Sequence, residues 1–134
     1  MLFRSGLRDE LKVFGNDYNT PDGSCIRDYL HVVDLARAHV VALRRLMAGE
    51  NKSNYEVFNL GTGTGVSVLE AIAAFEKATG VKLKYTVTDR RAGDIEKIWA
   101  DPSLANRELG WKTEISIEEA METAWRWENR LKIK

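Results

Sequence analysis

Residues 26–46, IRDYLHVVDLARAHVVALRRL, predict a strand that leads directly into a helix. The first part, 26–33, alternates polar and apolar side chains, which predicts a β-strand. The second part predicts a helix because apolar residues recur at helical spacing, at Leu35, Ala38, Ala42 and Leu46. We expect Asp34 to be the N-cap of this helix and Gly49 to end it. A strand followed by a helix in this way favours an α/β fold.

The flanking sequence predicts further strands. We expect them over 11–14, 55–60 and 83–87, with a turn-rich loop over 15–23 and the end of a helix over 6–10. These strands alternate with predicted helices, which again indicates the α/β class.

The remaining helices are predicted from their ends. Ser67 and Glu70 form a capping box for a helix that ends at Gly80, with a buried stripe at Val68, Ile72 and Phe75. A short helix is expected between the pair Asp101-Pro102 and Gly110. A second capping box, over 116–119, begins a last helix. Its expected buried stripe is Ala120, Ala124, Trp127 and Leu131.

Composition narrows the class of protein. The chain has 134 residues, which predicts one core. Its 20 basic and 20 acidic side chains cancel, so a nucleic-acid binder is disfavoured. No run approaches the ~20 apolar residues that a membrane span needs, and no apolar signal segment begins the chain, so we expect a cytoplasmic protein. The single cysteine, Cys25, and two histidines are too few for a disulfide or a dedicated soft-metal site.

A glycine-rich segment, Gly61-Thr62-Gly63-Thr64-Gly65, follows a predicted strand and precedes a predicted helix. A dinucleotide-binding turn has glycine at its first, third and sixth positions, but the sixth position here is Val66. We therefore interpret the segment as a tight loop in which glycine lets neighbouring backbone approach closely. A cofactor-binding turn is the alternative that the spacing disfavours.

Arginine and acidic side chains stand together in two aperiodic segments. Arg27 precedes Asp28, and the pair Arg90-Arg91 precedes Asp94. Taken singly, each is a surface ion pair. Taken together, guanidinium groups from two segments could clamp a diphosphate while Asp94 accepts ribose hydroxyls.

The aromatic and histidine side chains allow two interpretations. Phe14 and Tyr29 could form a flat wall for a nucleobase, or they could be core residues. His31 and His39 are interpreted as structural because neither has a nucleophile or carboxylate partner at a telling spacing. Cys25 is interpreted as a small buried residue.

Several runs of residues together resemble the C-terminal part of the UDP-glucose 4-epimerase family, within the extended short-chain dehydrogenase/reductase superfamily. These runs are 14–18 with 20–23, then 25–36, 58–63 with 67–70, 90–94, 99–102 and 108–111. The block over 27–36 marks the superfamily, whereas 14–23 and 90–94 point to the epimerases. The resemblance covers essentially all of the chain after Ser5.

The resemblance implies roles for seven positions. They are Phe14 in the uracil pocket, Arg27 and Arg91 on the diphosphate, Tyr29 and Val68 beside the nucleotide, Asp94 on the ribose, and Ile98 beside the hexose. Ile98 departs from family members that carry tyrosine there. The resemblance assigns no catalytic, cofactor-binding or metal-binding residue to this chain.

The resemblance also implies the activity of the intact enzyme. That enzyme is an NAD-dependent isomerase of galactose metabolism and a homodimer that interconverts UDP-glucose and UDP-galactose, with UDP-N-acetylhexosamines as further candidate substrates. Family members use a Tyr-x-x-x-Lys pair and a glycine fingerprint. Neither pattern occurs in this sequence.

We therefore expect residues 6–134 to be a nucleotide-sugar-binding C-terminal domain without its NAD-binding domain, inactive alone, and residues 1–5 to be a non-native lead-in. Its fold would be a small substrate-binding lobe plus elements that normally complete a Rossmann domain. In the family, the strand at 55–60 and the helix after Asp34 are expected to pack on the dinucleotide domain. The alternatives are a stand-alone UDP-sugar-binding module, or a fragment of a related nucleotide-sugar dehydratase or decarboxylase.

Overall fold

The computed structural model describes residues 10–131. The lead-in at 1–5 and most of the helix end expected at 6–10 lie outside these residues. The described elements are β1 (Leu11–Phe14), β2 (Ile26–Arg27), α1 (Val32–Met47), β3 (Val66–Ser67), α2 (Val68–Thr79), β4 (Tyr85–Thr88), α3 (Ser103–Leu109) and α4 (Ile117–Leu131). The α/β class is confirmed.

The chain divides into two compact units, although its length predicts one core. The described part of the first unit is 10–27, 66–98 and 116–131. The second unit is 28–65 and 99–115. Because the chain passes between the units several times, no single break in composition marks the boundary. Within residues 10–131, no helix combines the length and the apolar character needed to cross a membrane.

Two small sheets form the strand framework of the first unit. β1 and β4 are parallel, with Leu11 opposite Tyr85 and Phe14 opposite Thr88. β2 and β3 are antiparallel, with Ile26 opposite Ser67. The strand predicted over 83–87 thus begins two residues later and ends one residue later than expected.

The ends of α2 follow the sequence signals closely. The Glu70 N–H donates to Ser67 Oγ at 3.0 Å, and the Ser67 N–H donates to Glu70 Oε2 at 2.7 Å. The helix ends at Gly80, which has φ 68° and so adopts the left-handed conformation that glycine tolerates best. Both the capping box and the glycine end are confirmed.

The helix α4 packs on α2 with a different face from the predicted one. The ring of Trp125 meets Phe75 edge to face, with centroids 5.9 Å apart, while Trp127 is 62% exposed and Leu131 is 54% exposed. Positions 125 and 127 lie on opposite faces of a helix, so only one of the two tryptophans can face α2. The predicted stripe through Trp127 and Leu131 is therefore wrong.

The second unit is built around α1 and α3. Its core contains Ala38 of α1, Ala105 of α3 and Trp111, all buried. The Trp111 Nε1–H donates to the Asp34 carbonyl oxygen at 2.9 Å, which satisfies the buried indole nitrogen. The helix α3 ends at Gly110, as predicted.

The strand predicted over 26–33 stops at Arg27, and α1 begins at Val32. His31 is the N-cap, because its Nδ1 accepts the Val33 N–H at 3.1 Å. Asp34 lies inside the first turn, fully buried, and its Oδ2 accepts backbone N–H groups of Glu114 and Ile115. The predicted cap is wrong because this carboxylate serves a distant loop. The helix ends at Met47, two residues before Gly49.

The strand predicted over 55–60 is not assigned, because neither of the two sheets among the described residues includes this segment. Phe58 and Leu60 instead pack against the core of the second unit. Glu56 is held by Arg45 of α1. Side-chain anchoring thus replaces a strand ladder here.

An apolar face of α1 is exposed. Val32 is 70% exposed, Val40 is 49% exposed and Met47 is 79% exposed. Leu43, which shares their face at helical spacing, is 56% exposed. The core of the second unit uses the opposite side of this helix.

Candidate functional site

The candidate site lies in the first unit, at the carboxyl ends of two parallel strands. Phe14 is the last residue of β1, and Arg91 follows the end of β4. Parallel strands end at the same edge of a sheet, where ligands commonly bind in α/β proteins. As a result the Arg91 guanidinium carbon lies 5.1 Å from the centroid of the Phe14 ring.

Asp94 anchors both arginines of the predicted clamp. Arg91 Nη2 donates to Asp94 Oδ1 at 2.7 Å, and Arg27 Nη2 lies 3.9 Å from the same oxygen. The side chain of Asp94 is 13% exposed, whereas that of Arg91 is 63% exposed. Hydrogen bonding to Asp94 raises the pKa of Arg91. The arrangement holds two cations near one shielded carboxylate.

Arg27 is oriented by its own strand. Its Nη1 donates to the Ile26 carbonyl oxygen at 2.8 Å, and its side chain is 29% exposed. A guanidinium held in this way loses little freedom when it binds an anion, and its remaining N–H groups can still donate.

Val68 and Ile98 are placed on the two sides of β2. The Val68 N–H donates to the Cys25 carbonyl oxygen at 3.0 Å, and the Ile98 N–H donates to the Ile26 carbonyl oxygen at 3.2 Å. Val68 is half-buried, and Ile98 is 49% exposed. The first unit therefore contains six of the seven predicted site residues. Tyr29 is half-buried and belongs to the second unit.

Arg90 has partners that the sequence did not reveal. Its Nε donates to Asp17 Oδ1 at 2.7 Å, and its guanidinium carbon lies 4.1 Å from the centroid of the Tyr18 ring. The hydrogen bond from Arg90 lowers the pKa of Asp17. Arg90 thus fastens the loop over 15–23 to the end of β4, while its neighbour Arg91 contacts Phe14. In the sequence, only the pair Arg90-Arg91 indicates these contacts, and the pair does not show which arginine has which partner.

A cleft of about 430 Å³ lies between that loop and the end of β4. Its lining is Gly15, Asn16, Asp17, Val87, Thr88, Asp89 and Arg90. Gly15 has φ 79°, and a Cβ there would lie 2.5 Å from a ring carbon of Tyr18. Glycine is required at this point for both its conformation and its small size.

The glycine-rich segment 61–65 is a tight loop, as interpreted from its spacing. A Cβ at Gly61 would lie 2.2 Å from Asp28 Oδ2 and 2.7 Å from Ala100 Cβ. Asp28 accepts the Thr62 Oγ1–H at 2.8 Å and the Ala100 N–H at 3.1 Å. The close approach is therefore to a carboxylate of the same unit.

The histidines and the cysteine have structural partners. His31 caps α1, and His39 Nδ1 lies 2.8 Å from the Leu35 carbonyl oxygen, one turn earlier. Cys25 is buried beside Tyr18, and their hydrogen bond raises the pKa of that tyrosine. Across residues 10–131, no group of three or more His, Cys, Asp or Glu side chains is arranged to hold a metal ion.

Comparison with known proteins gives consistent relatives. Residues 2–124 match the family model described as GDP-mannose 4,6 dehydratase. The UDP-glucose 4-epimerase of Homo sapiens is 49% identical over 125 residues, which are 93% of this chain and 35% of that protein. The UDP-glucose 4-epimerase of Bacillus subtilis is 50% identical over 124 residues, which are 92% of this chain and 36% of that protein.

Solved structures of epimerases resemble the fold. The Stenotrophomonas maltophila UDP-glucose-4-epimerase, with bound NAD and formylated UDP-arabinopyranose, has a TM-score of 0.92 at 45% identity, covering 98% of this chain and 38% of that one. The Bifidobacterium longum UDP-glucose 4-epimerase, in complex with NAD+ and UDP, has a TM-score of 0.85 at 46% identity, covering 93% and 36%. The chain thus spans little more than a third of the length of these relatives.

Proposed function

Because the chain belongs to the GDP-mannose 4,6 dehydratase family and aligns with the C-terminal part of UDP-glucose 4-epimerases, we propose that its first unit binds the UDP portion of a UDP-sugar. The proposed activity of the intact protein is the interconversion of UDP-glucose and UDP-galactose. The family model is described by a dehydratase, but the human and Bacillus subtilis relatives, at 49% and 50% identity, favour the epimerase.

The proposal is carried by one observation: Arg27 and Arg91 converge on the single carboxylate of Asp94. Guanidinium groups bind phosphate oxygens in a forked geometry and keep their charge at any physiological pH. A diphosphate between the two arginines would take the hydrogen bonds that Arg91 now donates to Asp94. The released carboxylate oxygen could then accept hydroxyl groups of the ribose.

Phe14 supplies the surface for the base in this proposal. Its half-buried ring already contacts the Arg91 guanidinium, so the same arginine can lie near both the base and the phosphates. Stacking of a uracil on a fixed aromatic ring adds apolar contact at little cost in side-chain freedom. Val68, at the first position of α2, is proposed to border the nucleotide in the first unit. The role of Tyr29 stays what the family resemblance implies.

NAD, which is bound in the epimerase neighbours, is the proposed cofactor of the intact protein. The glycine-rich loop at 61–65 does not fit it, because Asp28 and Ala100 fill the space that a close-lying ligand would need at Gly61. We therefore assign no NAD contact to this loop. A homodimer is also proposed, on the family resemblance alone. The cytoplasmic location expected from the sequence is likewise a proposal.

The width of the sugar pocket is proposed to depend on Ile98. This side chain is smaller than the tyrosine of some family members, and it is 49% exposed in the first unit. A branched aliphatic side chain leaves room for an N-acetyl group without adding a polar atom that needs a partner. UDP-N-acetylglucosamine and UDP-N-acetylgalactosamine are thus proposed as additional substrates.

A chimaeric enzyme tests the proposed activity. This chain would replace the matching part of the Bacillus subtilis UDP-glucose 4-epimerase, and conversion of UDP-galactose would be followed. We expect turnover by the chimaera and loss of UDP-galactose affinity, with NAD retained, when Arg91→Ala is added. Arg126→Ala, an exposed arginine of α4 paired with Glu122, is the matched control and should behave as the unaltered chimaera. A folded, NAD-containing chimaera without turnover would refute the proposal.

A further inference from the structure

The turn Asp22-Gly23-Ser24 joins three segments of the first unit by its side chains. We propose that Asp22 is a positioning residue, which holds the proposed nucleotide contacts at Phe14, Arg27 and Val68 in register with one another. This inference rests on the proposed function and adds to it a residue that touches no ligand.

The Asp22 carboxylate receives three hydrogen bonds. Its Oδ1 accepts the Ser24 N–H at 2.9 Å and the Ser24 Oγ–H at 2.8 Å, and its Oδ2 accepts the Ser67 Oγ–H. Ser24 is 0% exposed and Ser67 is 2% exposed, so these hydroxyl groups have little access to water. An unpaired hydroxyl at such depth would be costly, which makes the carboxylate the determinant of their orientation.

Both serine hydroxyl groups in turn accept N–H groups from the start of α2. Ser67 Oγ accepts the Glu70 N–H at 3.0 Å, and Ser24 Oγ accepts the Leu69 N–H at 3.3 Å. The negative charge of Asp22 therefore lies beyond the helix N-terminus, linked to it through two polarised hydroxyl groups. Such chains of hydrogen bonds strengthen one another in a buried setting.

Burial of Asp22 opposes ionisation, yet the pKa of its carboxyl is lowered because hydrogen bonds from Ser67 and Ser24 outweigh that cost. The carboxylate is consequently the form that the network requires. Its protonation would replace one acceptor by a donor, leaving a serine hydroxyl without its partner.

The residues fixed by this network are those of the proposed site. Val68 is the first residue of α2 and donates its N–H to the Cys25 carbonyl oxygen, one residue beyond Ser24. Arg27 lies opposite Val66 in the β2–β3 ladder, immediately before the helix cap. The loop that contains Asp22 starts directly after Phe14. Loss of the Asp22 contacts would let these three segments move relative to one another.

Residues 101–103 form the same local motif, but there the aspartate does not bind a second segment within residues 10–131. In Asp101-Pro102-Ser103, Asp101 Oδ1 accepts the Ser103 N–H at 2.9 Å and the Ser103 Oγ–H at 2.5 Å, at the start of α3 in the second unit. Asp101 and Asp22 thus make the same turn, but Asp22 also binds Ser67, 45 residues away. Asp101→Asn is therefore a matched control for Asp22→Asn.

The test uses the full 134-residue chain and calorimetric titration with UDP at a temperature well below unfolding. We expect Asp22→Asn to raise the Kd for UDP roughly tenfold, because positioned groups lose much of their effect when displaced by a fraction of an ångström. Asp101→Asn should leave the Kd within about twofold, even where it lowers the unfolding temperature equally. A Kd of Asp22→Asn within twofold of the parent would overturn the inference.

Two further measurements distinguish failure of this inference from misfolding of the variant and from failure of the proposed function. If Asp22→Asn does not fold, Ser24→Ala, which removes one of the two hydroxyl groups between Asp22 and α2, must raise the Kd instead, and an unchanged Kd overturns the inference. If the parent chain does not bind UDP, the proposed function is refuted. The inference is then decided by the ligand-free amide resonances of Arg27 and Val68, which must shift in the Asp22 variant and stay in place in the Asp101 variant.

Discussion

The guanidinium of Arg91 lies 5.1 Å from the centre of the Phe14 ring, so a cation just beyond β4 meets the aromatic face at the end of β1. Such a pair is attractive even at partly exposed sites. The contact places the proposed base-binding and phosphate-binding groups side by side before any ligand arrives. Arg90, adjacent in sequence, instead contacts Tyr18 and Asp17.

The partly buried ion pair of Glu56 with Arg45 predicts a defined pH dependence of stability. Arg45 donates to Glu56 from Nε at 2.9 Å and from Nη2 at 3.1 Å, and the Lys52 N–H adds a third hydrogen bond. These contacts lower the pKa of Glu56 from 4.5 to about 2. A lowered folded-state pKa stabilises the fold above the unfolded-state pKa, and this contribution is lost as the pH falls through about 2.

Glu56→Gln should therefore destabilise the chain near neutral pH, and the difference from the parent should shrink as the pH falls below 4.5 toward 2. Urea unfolding of both proteins across that range measures it. Glu122→Gln, in an exposed pair with Arg126, is the control and should show little difference at any pH. A difference for Glu56→Gln that stays constant down to pH 2 would contradict the prediction.

The exposed face of α1 predicts binding of an apolar dye. Val32, Val40, Leu43 and Met47 are between 49% and 79% exposed and share one side of the helix. The native chain should enhance the fluorescence of anilinonaphthalene sulfonate, and Leu43→Lys should reduce the signal. Val57→Lys, at a residue 59% exposed outside this helix, should change it less. A native chain that leaves the dye dark would refute the prediction.

The sequence predicts that this chain has no epimerase activity by itself. None of its four tyrosines is followed by lysine four positions later, so the proton-transfer pair of the family is not present. We expect no conversion of UDP-galactose above a blank, even with added NAD, in an assay where the Bacillus subtilis enzyme is active. Turnover by the purified chain would show that its chemistry differs from that of the family.

Ile98 predicts the substrate range of the chimaeric enzyme. We expect the chimaera to interconvert the N-acetylated UDP-hexoses as well as UDP-glucose and UDP-galactose. Ile98→Tyr should suppress the N-acetyl reaction and largely spare the other, because an aromatic ring narrows the proposed pocket. Competition assays with the two substrate pairs measure the change. Equal loss on both pairs, or no N-acetyl activity in the parent chimaera, would refute this role.

Local signals predicted those parts of the fold that local contacts stabilise. The capping box at Ser67 and the glycine ends at Gly80 and Gly110 involve residues within a few positions of one another. The cap of α1 was predicted wrongly because the Asp34 carboxylate accepts the backbone N–H groups of residues 114 and 115, and no local pattern shows these hydrogen bonds. The face of α4 that packs on α2 was predicted wrongly. Trp125 and Trp127 lie on opposite faces of this helix, and the apolar pattern does not distinguish the two faces.

The same distinction applies to the candidate site. Arg91 and Asp94 are three residues apart, so their pairing can be predicted from the sequence. Contact of Arg91 with Phe14 depends on the parallel pairing of β1 with β4, which the periodicity of the sequence does not show. The hydrogen bond from Ser67 to Asp22 was not predicted, because a turn already accounted for Asp22 and a helix cap already accounted for Ser67.

Titration of the chain with UDP, followed through its backbone amide resonances, measures whether the residues around Asp94 bind the nucleotide. We expect saturable shifts at Phe14, Arg27, Val68, Arg91 and Asp94. Arg27→Ala and Arg91→Ala should each weaken binding by about 1.5–3 kcal/mol, the loss of a charged hydrogen bond, while Arg126→Ala leaves it unchanged. Shifts confined to other residues, or equal affinity in all three variants, would show that these arginines are surface ion pairs and contradict the account.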